Sequence, residues 1–535
     1  MNSKITALIA VTVATAALVI PMRIQGQLEQ GGYHHYKLVD LGTFGGPQSY
    51  FVPGSGFEFS GSSVLNSGWT VAGFADTPMP DPFPNFCWSN DCLVGHSFQA
   101  GSGGLLTNLG ALRGGGSSSP VWITPNGLIA GTSENGETDP LYAGFPEFRA
   151  VLWQQDKIMD LGTLPEGGYQ SEANGVNSAG QVVGSALNTI PDANSMAVTN
   201  WWYFDVPYGY QQRAFLWDKE KGMQDLGTLP GGTDAEALLV NELGQVVGNS
   251  YTSSAPSAAC SSPGIVVLTT GAFIWDKNNR MRDLGGFGGT CTVVTDLNNE
   301  GQIVGQSFRA GDESATAFLW EDGSIHELGG SLGGDYTGAF ALNEQGQAVG
   351  YAYLPGDSMF HGALWAQVGK LTDLGVIGND PCSYAAAINA GGQVVGASAP
   401  TCDGFGDDSR AFLWNDGGPI VDLNTLIPSG SSLYLQLTYA INDGGEIAGT
   451  GVDGSGNEHA FLLIPCDQNH PGIEGCDYSL ADPSTAVEVH PALTKKTPAA
   501  AASQPKLSPA ELMARFRSAQ AGRNRRFGTP QAPPQ

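Results

Sequence analysis

A turn-forming phrase recurs along this chain of 535 residues and constrains its fold more than any other feature. Asn is followed three residues later by Gly, with β-branched residues on both sides, as in "GVNSAGQVVGSA". Asn favours the first position of a type I turn, and Gly accepts the left-handed backbone of the bulge that closes it. The phrase therefore predicts a β-hairpin. Six clear copies are present, at 175–186, 239–250, 296–307, 341–352, 387–398 and 441–452, and two weaker copies precede them at 64–73 and 122–133, which gives eight in all.

A second phrase of the type "(R/H)AFLW" follows most of these hairpins and predicts a strand buried on both faces. A short turn and a half-polar strand ending in "DLG" come next, so each unit comprises four antiparallel strands, a to d. The 76 glycines and 32 prolines indicate many tight turns, and no 3.6-residue pattern supports a helical solenoid. Four-stranded units at this spacing are typical of β-propeller blades.

The two ends of the repeated region complement each other. The last unit stops after strand c, at "HAFLLIP" (459–465), whereas the first "DLG" strand, "YKLVDLG" (36–42), has no unit of its own. The N-terminal strand is therefore expected to complete the last unit, which would hide both sheet edges. The predicted fold is an all-β, eight-bladed β-propeller over residues 33–464.

The phrases "HAFLL", "RAFLW", "DLGTLPGG" and "INAGGQVVG" resemble the HAF repeat of predicted bacterial extracellular repeat proteins. Only His459-Ala460-Phe461 matches the name-giving triplet literally, and the first two units depart most from the pattern. The resemblance spans about residues 36–465. It implies secretion and carries neither an activity nor catalytic residues.

Export is also indicated by the N-terminus, where Lys4 precedes an uncharged, mostly apolar run from Ile5 to Ile20. This run suits a signal peptide over 1–26, with an uncleaved anchor as the alternative and no transmembrane domain expected in the mature chain. The net charge is −28, and residues 479–535 carry eight Lys/Arg against three Asp/Glu. The body is therefore strongly acidic, which argues against nucleic-acid binding. The basic tail is expected to be mostly disordered, with a short helix at 509–520.

An even number of cysteines in an exported chain favours disulfides. Cysteines at the start of strand a and in the b–c connection are expected at the same end of the blades. The predicted pairs are Cys87–Cys92, Cys260–Cys291, Cys382–Cys402 and Cys466–Cys476, the last closing a loop at 465–478.

Several recurrent residues suggest sites but have simpler structural interpretations. The tryptophans that recur in strand c are expected to pack between blades, and the "DLG" carboxylates to cap the loop that follows. Asp453–Glu458 and Asp403–Asp408 resemble calcium loops but lack a Glu at the twelfth position, so Ca²⁺ is a minor alternative and no cofactor is predicted. His34-His35 and His470 lack a convincing set of further metal ligands.

The b–c connections are long in units 1–4 and short in units 5–8. The longest contains "NWWYFDVPYGYQQ", whose aromatic residues suit stacking on sugar rings or contact with a protein partner, or alternatively pack as a lid. The candidate ligand-binding residues are Trp201, Trp202, Tyr203, Tyr208 and Tyr210. We expect a secreted binding or scaffold module for an extracellular glycan or envelope protein. The alternatives are a polysaccharide hydrolase or lyase, for which Asp76, Asp81, Asp139 and Asp205 form no recognisable set, and a surface structural protein.

Overall fold

The computed structural model describes residues 33–51, 63–83, 88, 92–141, 144–155, 157–196, 209–262, 265–402, 408–415 and 417–481. Within them the chain is all-β and built from four-stranded antiparallel units, as predicted, with a 3₁₀ turn at Leu423–Thr425. The expected signal peptide at 1–26 and the expected tail helix at 509–520 lie outside the described residues.

The described residues begin with two strands, β1 (Tyr33–His34) and β2 (Tyr36–Asp40), which pair with strands from the other end of the chain. Units 1–4 then follow, each in the order a to d. Unit 1 comprises β3 (Ser49–Tyr50), β4 (Val71–Pro80), β5 (Leu93–Ala100) and β6 (Thr107–Asn108). Unit 2 comprises β7 (Ser118–Ile123), β8 (Ile129–Thr138), β9 (Pro146–Gln154) and β10 (Lys157–Asp160). Unit 3 comprises β11 (Ser171–Val176), β12 (Val182–Pro191), β13 (Tyr210–Asp218) and β14 (Gly222–Gly227). Unit 4 comprises β15 (Ala235–Val240), β16 (Val246–Ser262), β17 (Ile265–Asp276) and β18 (Arg280–Asp283).

The second half of the chain repeats this arrangement. Unit 5 comprises β19 (Gly288–Leu297), β20 (Ile303–Arg309), β21 (Ala315–Glu321) and β22 (Ser324–Glu327). Unit 6 comprises β23 (Thr337–Leu342), β24 (Ala348–Tyr353), β25 (Phe360–Gln367) and β26 (Lys370–Gly375). Unit 7 comprises β27 (Cys382–Ile388), β28 (Val394–Ala399), β29 (Arg410–Trp414) and β30 (Val421–Asp422). Unit 8 comprises β31 (Leu433–Ile441), β32 (Ile447–Asp453) and β33 (Glu458–Pro465), and the last strand is β34 (Leu480–Ala481).

The fourth strand of unit 8 is β2, from the other end of the chain. It pairs antiparallel with β33, and Leu38 lies opposite Leu463. The predicted pairing of the N-terminal strand with the last unit is therefore confirmed. β1 and β34 form a separate two-stranded ribbon beside it. Units 4 and 5, and units 6 and 7, join into eight-stranded sheets through one parallel residue pair each.

The turns of units 3–8 have the predicted Asn and Gly geometry, as the turn of unit 5 illustrates, whereas Trp69 takes the place of the Gly in unit 1 and Thr124 that of the Asn in unit 2. The N–H of Gly301 donates to the carbonyl of Asn298, and Asn298 Oδ1 accepts from the N–H of Gln302 at 2.9 Å. Gly301 has φ of 81°, in the region that glycine adopts without a steric penalty. The turn sequence therefore sets where strand a ends and strand b begins.

A glycine in strand b allows the sheet to pack tightly around a bulge in strand a. In unit 7 the register of strand a shifts between Ala385 and Ala387. A Cβ on Gly396 would lie 2.0 Å from the carbonyl oxygen of Tyr384 and 2.7 Å from the ring of Phe412. These distances are far below van der Waals contact, so the repeat requires glycine at this position.

The core lies between consecutive units. Trp365 of unit 6 is fully buried against Val304 and Leu319 of unit 5, and its Nε1 donates to the carbonyl of Gly329 at 2.7 Å. Unit 8 packs against unit 1 in the same way, with Leu462 in one cluster with residues of β4 and β5. The predicted role of the strand c tryptophans as core is confirmed. All are at most 9% exposed, namely Trp153, Trp217, Trp275, Trp320, Trp365 and Trp414.

Candidate functional site

The hairpins of strands b and c are longer in units 1–4 than in units 5–8, as the sequence predicted. Strands β4, β8 and β12 each have ten residues and β16 has seventeen, whereas β20, β24, β28 and β32 have six or seven. The pairing register shifts where these hairpins extend, for example between Glu134 and Thr138. One half of the molecule therefore carries projections that the other half lacks.

Large apolar side chains are exposed at the ends of three of these hairpins. Met79 of unit 1 is 51% exposed, Ile190 of unit 3 is 54% exposed and Val266 of unit 4 is 54% exposed. We call these three residues the hairpin-tip surface. Apolar side chains on projecting elements are typical of contact surfaces.

Below these tips, two carboxyl groups come together between units 1 and 2. Glu134 is fully buried and accepts hydrogen bonds from Trp88 Nε1 at 2.7 Å and from the N–H groups of Gly116 and Ser117. Burial raises the pKa of Glu134 to about 7, and the charge of Asp81 adds to the effect. Burial likewise raises the pKa of Asp81 to about 6. In the described residues Glu134 is 0% exposed, and the hydrogen bonds that its carboxyl accepts all come from the protein.

Further carboxyls within the fold lie in units 3 and 4, where Glu172 is half-buried and Asp234 and Glu236 are buried. Glu172 accepts from the hydroxyl of Ser185 at 3.0 Å, and burial raises its pKa to about 7. Asp234 accepts from the N–H of Gln212 at 2.8 Å, and burial raises its pKa to about 6. Glu236 accepts from Asn249 Nδ2 at 3.1 Å. A cavity of about 20 Å³ beside Glu172, between units 2 and 3, has room for about one water molecule.

In units 5 and 6 an aromatic residue occupies the place that Glu134 has in unit 2. Phe308 and Tyr353 stand three residues after the strand b glycine, as Glu134 does in unit 2. Ring contacts join successive residues of the cluster, including Phe340 with Tyr351 at 5.1 Å. Its ring-bearing members are Tyr251, Phe308, Tyr336, Phe340, Tyr351, Tyr353, Phe360 and Tyr384. The carboxyls with raised pKa values described above thus lie in units 1–4, whereas the aromatic cluster extends from Tyr251 of unit 4 to Tyr384 of unit 7.

Four of the five candidate ligand-binding residues lie outside the described residues, namely Trp201, Trp202, Tyr203 and Tyr208. The fifth, Tyr210, begins β13 opposite Pro191 and is half-buried. Its position places the C-terminal end of the aromatic segment at the long hairpin of unit 3. Asp205 also lies outside the described residues, whereas Asp76, Asp81 and Asp139 are buried.

Three predicted disulfides are confirmed, Cys260–Cys291, Cys382–Cys402 and Cys466–Cys476. Cys92 is also disulfide-bonded, and Cys87 lies outside the described residues. No group of three or more metal-binding side chains occurs in the described part of the chain. The resemblance of Asp453–Glu458 to a calcium loop has a simpler basis, because Asp453 Oδ1 accepts from the N–H groups of Ser455 and Asn457 as in an ordinary turn. Residues 403–407 of the second such segment are not described.

The "DLG" carboxylates cap the next loop, as predicted. Asp225 Oδ1 accepts from the N–H of Gly227 at 2.7 Å, and Asp373 Oδ1 from Gly375 at 2.8 Å. In three units this carboxylate also pairs with the residue that precedes "AF" or its equivalent: Arg213 with Asp225, His361 with Asp373, and His459 with Asp40. The variable first letter of the triplet is thus a basic partner for the "DLG" acid.

A connection between units was not predicted from the sequence. In seven units the first residue of the turn is Asn, and its Nδ2 donates to a backbone carbonyl in the next unit, as Asn343 does to Asn389 at 3.0 Å. Unit 2 has Thr124 at this position, and Asn126, two residues later in the turn, donates to the next unit instead. Asn442 of unit 8 makes the same bond to the carbonyl of Asn66 in unit 1. The signal was present in the sequence, because a cap alone would accept Asp or Ser, and only Asn supplies the donor. The remaining bonds join Asn66 to Thr124, Asn126 to Ser178, Asn177 to Asn241, Asn241 to Asn298, Asn298 to Asn343 and Asn389 to Asn442.

Among the described residues, no helix combines the length and apolarity needed to cross a membrane. No family model and no curated protein matches the chain. Solved structures similar to it include the β-propeller domain of the Trilobed protease from Pyrococcus furiosus, at 11% identity and a TM-score of 0.35, covering 64% of this chain and 95% of that one. Porphyromonas gingivalis dipeptidyl peptidase 4 is similar at 9% identity and a TM-score of 0.42, and the similarity covers 79% of this chain and 65% of that one. Pyrococcus horikoshii acylaminoacyl peptidase is similar at 10% identity and a TM-score of 0.35. The similarity covers 64% of this chain and 50% of that one, so the chain spans half the length of that protein. At these scores the similarities carry no argument about activity.

Proposed function

We propose that the eight units close into an eight-bladed β-propeller and that this propeller is an exported binding module of the HAF-repeat type. Closure is supported by the hydrogen bond from Asn442 to Asn66 and by the pairing of β2 with β33, which link the last unit to the first. A ring has no free sheet edges between its units, which protects such a protein from edge-to-edge association. Export is supported by the disulfides, which persist in oxidising compartments.

The ligand face of the propeller is formed by the long hairpins of units 1–4. The observation that carries this assignment is the difference in length of strand b between the two halves. A scaffold that needed only its own stability would not require ten to seventeen residues in strand b of units 1–4, because six or seven residues suffice in strand b of units 5–8. The aromatic segment containing Trp201, Trp202 and Tyr208 interrupts one of these hairpins and supplies the stacking groups for a sugar ring or a protein partner.

Binding is favoured over hydrolysis by the state of the described acids on this face. A glycosidase needs two carboxyl groups that flank the substrate, one acting as an acid and one as a base or nucleophile. Glu134 and Asp81 are neighbours with raised pKa values, but Glu134 is fully buried and hydrogen-bonded to the protein. We therefore assign them to the interior of the module.

The assignment is tested by a glycan array and by pull-down from envelope fractions. We expect the triple variant Trp201→Ala, Trp202→Ala, Tyr208→Ala to lose at least tenfold in affinity for any ligand found. Each aromatic ring that stacks on the ligand should contribute about 1 kcal/mol to the binding free energy. The variant Met79→Ser with Ile190→Ser tests the hairpin-tip surface separately.

The matched control is Leu243→Ser. Leu243 is 69% exposed, but it lies in the a–b turn of unit 4, at the opposite end of strand b from the long hairpins. It should bind as the wild type does. Equal loss in the control and the face variants, or no loss in the face variants, would remove the assignment. Release of shortened glycans by the wild type would instead identify a hydrolase or lyase.

A further inference from the structure

The turn of unit 8 departs from the repeat at one residue. Units 3–7 have Gln four residues after the turn Asn. In all five units the Gln Oε1 accepts a hydrogen bond from the Asn Nδ2 at 2.7–2.8 Å, as between Asn298 and Gln302. Unit 8 has Glu446 at this position. Glu446 is fully buried and its Oε1 faces a different partner, Nε2 of His470, at 2.7 Å.

His470 belongs to the loop closed by the Cys466–Cys476 disulfide and lies between two carboxylates. Its Nδ1 is 2.6 Å from Asp467 Oδ1, while its Nε2 faces Glu446, and the side chain is 2% exposed. A neutral imidazole has one N–H, so it can donate to only one of the two acids. The arrangement therefore fits the doubly protonated ring, and the neutral ring would place a lone pair against a carboxylate oxygen.

The same ring also contacts unit 1. The centroids of Trp69 and His470 are 4.8 Å apart, and Trp69 lies in the turn whose Asn66 carbonyl accepts from Asn442. A cation against an indole ring is attracted by the π electrons. His470 thus connects three parts of the chain: its own loop, the turn of unit 8 and the turn of unit 1.

Other groups around His470 add negative or neutral character. Tyr36 of β2 lies nearby, and burial, followed by the charges of Asp467 and Glu446, raises its pKa. The Tyr478 hydroxyl donates to the carbonyl of His470 at 2.9 Å. Farther along the same segment, Asp477 pairs with His35 at 3.9 Å. Lys37 Nζ lies against Gly475 of the same loop, where a Cβ would be 3.0 Å from it, whereas the charge of the protonated His470 ring lies directly between Asp467 and Glu446.

We propose that the disulfide-closed loop is a clasp across the junction of units 8 and 1, fastened while His470 is protonated and loosened when it loses its proton. Burial opposes the charged ring, but the hydrogen bonds to Asp467 and Glu446 outweigh it, and the pKa of His470 is raised. A group with a raised folded-state pKa stabilises the native state fully below its unfolded value, near pH 6.5. That contribution is lost as the pH rises through the folded value. The clasp should therefore hold in mild acid and open in alkali.

The test is amide hydrogen exchange of the segments 466–476 and 66–71 between pH 6 and pH 9, corrected for the intrinsic effect of pH. In the wild type the protection factors should fall about tenfold for each unit by which the pKa of His470 exceeds its ordinary value. Protection that is flat across this range would overturn the proposal, whatever the variants show.

The decisive variant is Glu446→Gln, which restores the residue found in units 3–7 and is therefore expected to fold. Its side chain should turn to Asn442, leaving both segments weakly protected at pH 6 and nearly independent of pH. The matched control is His361→Gln, which removes a histidine–aspartate pair in unit 6, away from the junction. A pH dependence in Glu446→Gln equal to that of the wild type, or its loss in His361→Gln, would assign the effect to another group.

Discussion

The hydrogen bonds between hairpin turns can be tested by replacing one atom. Asn343 Oδ1 accepts from the N–H groups of Gln345 and Gln347, and Nδ2 donates to the Gln347 side chain at 2.8 Å and to the Asn389 carbonyl at 3.0 Å. Asn343→Asp keeps the shape and both accepted bonds but removes both donated bonds. It therefore separates the connection between units from the formation of the turn.

The expected cost follows from burial. Asn343 and Asn389 are 6% and 3% exposed, so the Asn389 carbonyl oxygen that loses its donor cannot turn to bulk water. The half-buried Gln347 side chain can instead rotate its amide and donate to the new carboxylate. A lost hydrogen bond costs about 1 kcal/mol net, and a buried acceptor left without a partner costs about 1–3 kcal/mol. The new carboxylate also faces the Asn389 carbonyl oxygen directly. We expect Asn343→Asp to lower the free energy of unfolding by about 2–4 kcal/mol at pH 7.

The measurement is urea unfolding followed by near-UV circular dichroism, comparing midpoints at equal slope. Asn126→Asp is the matched control, because Asn126 Nδ2 makes the same kind of bond to the carbonyl of Ser178 at 2.9 Å but is exposed. It should cost less than about 1 kcal/mol, since water replaces the lost donor. If Asn343→Asp costs no more than Asn126→Asp, the bonds between units do not stabilise the fold and the reasoning is wrong.

Three other perturbations test separate parts of the structure. Replacing Cys260 and Cys291 by Ser opens a 31-residue separation and should cost about 3–4 kcal/mol in the same urea assay under oxidising conditions, whereas equal stability would show that the bond is not formed in solution. Gly396→Ala should destabilise by about 2 kcal/mol or more, because its Cβ meets the Tyr384 carbonyl oxygen at 2.0 Å, and a folded variant of unchanged melting temperature would contradict this packing. Burial raises the pKa of Glu172 to about 7, so protonation stabilises the fold as the pH falls from 8 to 5, and Glu172→Gln should show a smaller rise in melting temperature over this range than the wild type.

The repeat itself was predictable because each of its letters has a local physical cause. Asn and Gly at the turn, the apolar strand c and the capping acid of "DLG" all act within one unit, and a single sequence reports such short-range preferences directly. The pairing of β2 with β33 was predictable for another reason. The last unit lacks its fourth strand and the N-terminal strand has no unit of its own, so the simplest prediction is that the two pair with each other.

What the sequence could not provide lies between units. The Nδ2 of Asn343 and the carboxyl of Glu446 contact residues far away in the chain, and nothing in the local pattern indicates which neighbour they meet. The exchange of acids for aromatics at equivalent positions was visible letter by letter, as with Glu134 and Phe308. Its consequence, one aromatic cluster that extends across units 4–7, depends on the order of units in space.

The partnership of β2 with β33 also bears on how the protein is made. β2 is synthesised long before its partner strand, because Asp40 pairs with Phe461, which leaves the ribosome more than four hundred residues later. Until then β2 is an unpaired strand that other chains can capture, and late pairing over such a distance is slow. A cell that makes this protein must therefore keep β2 solvated and accessible until β33 has been synthesised.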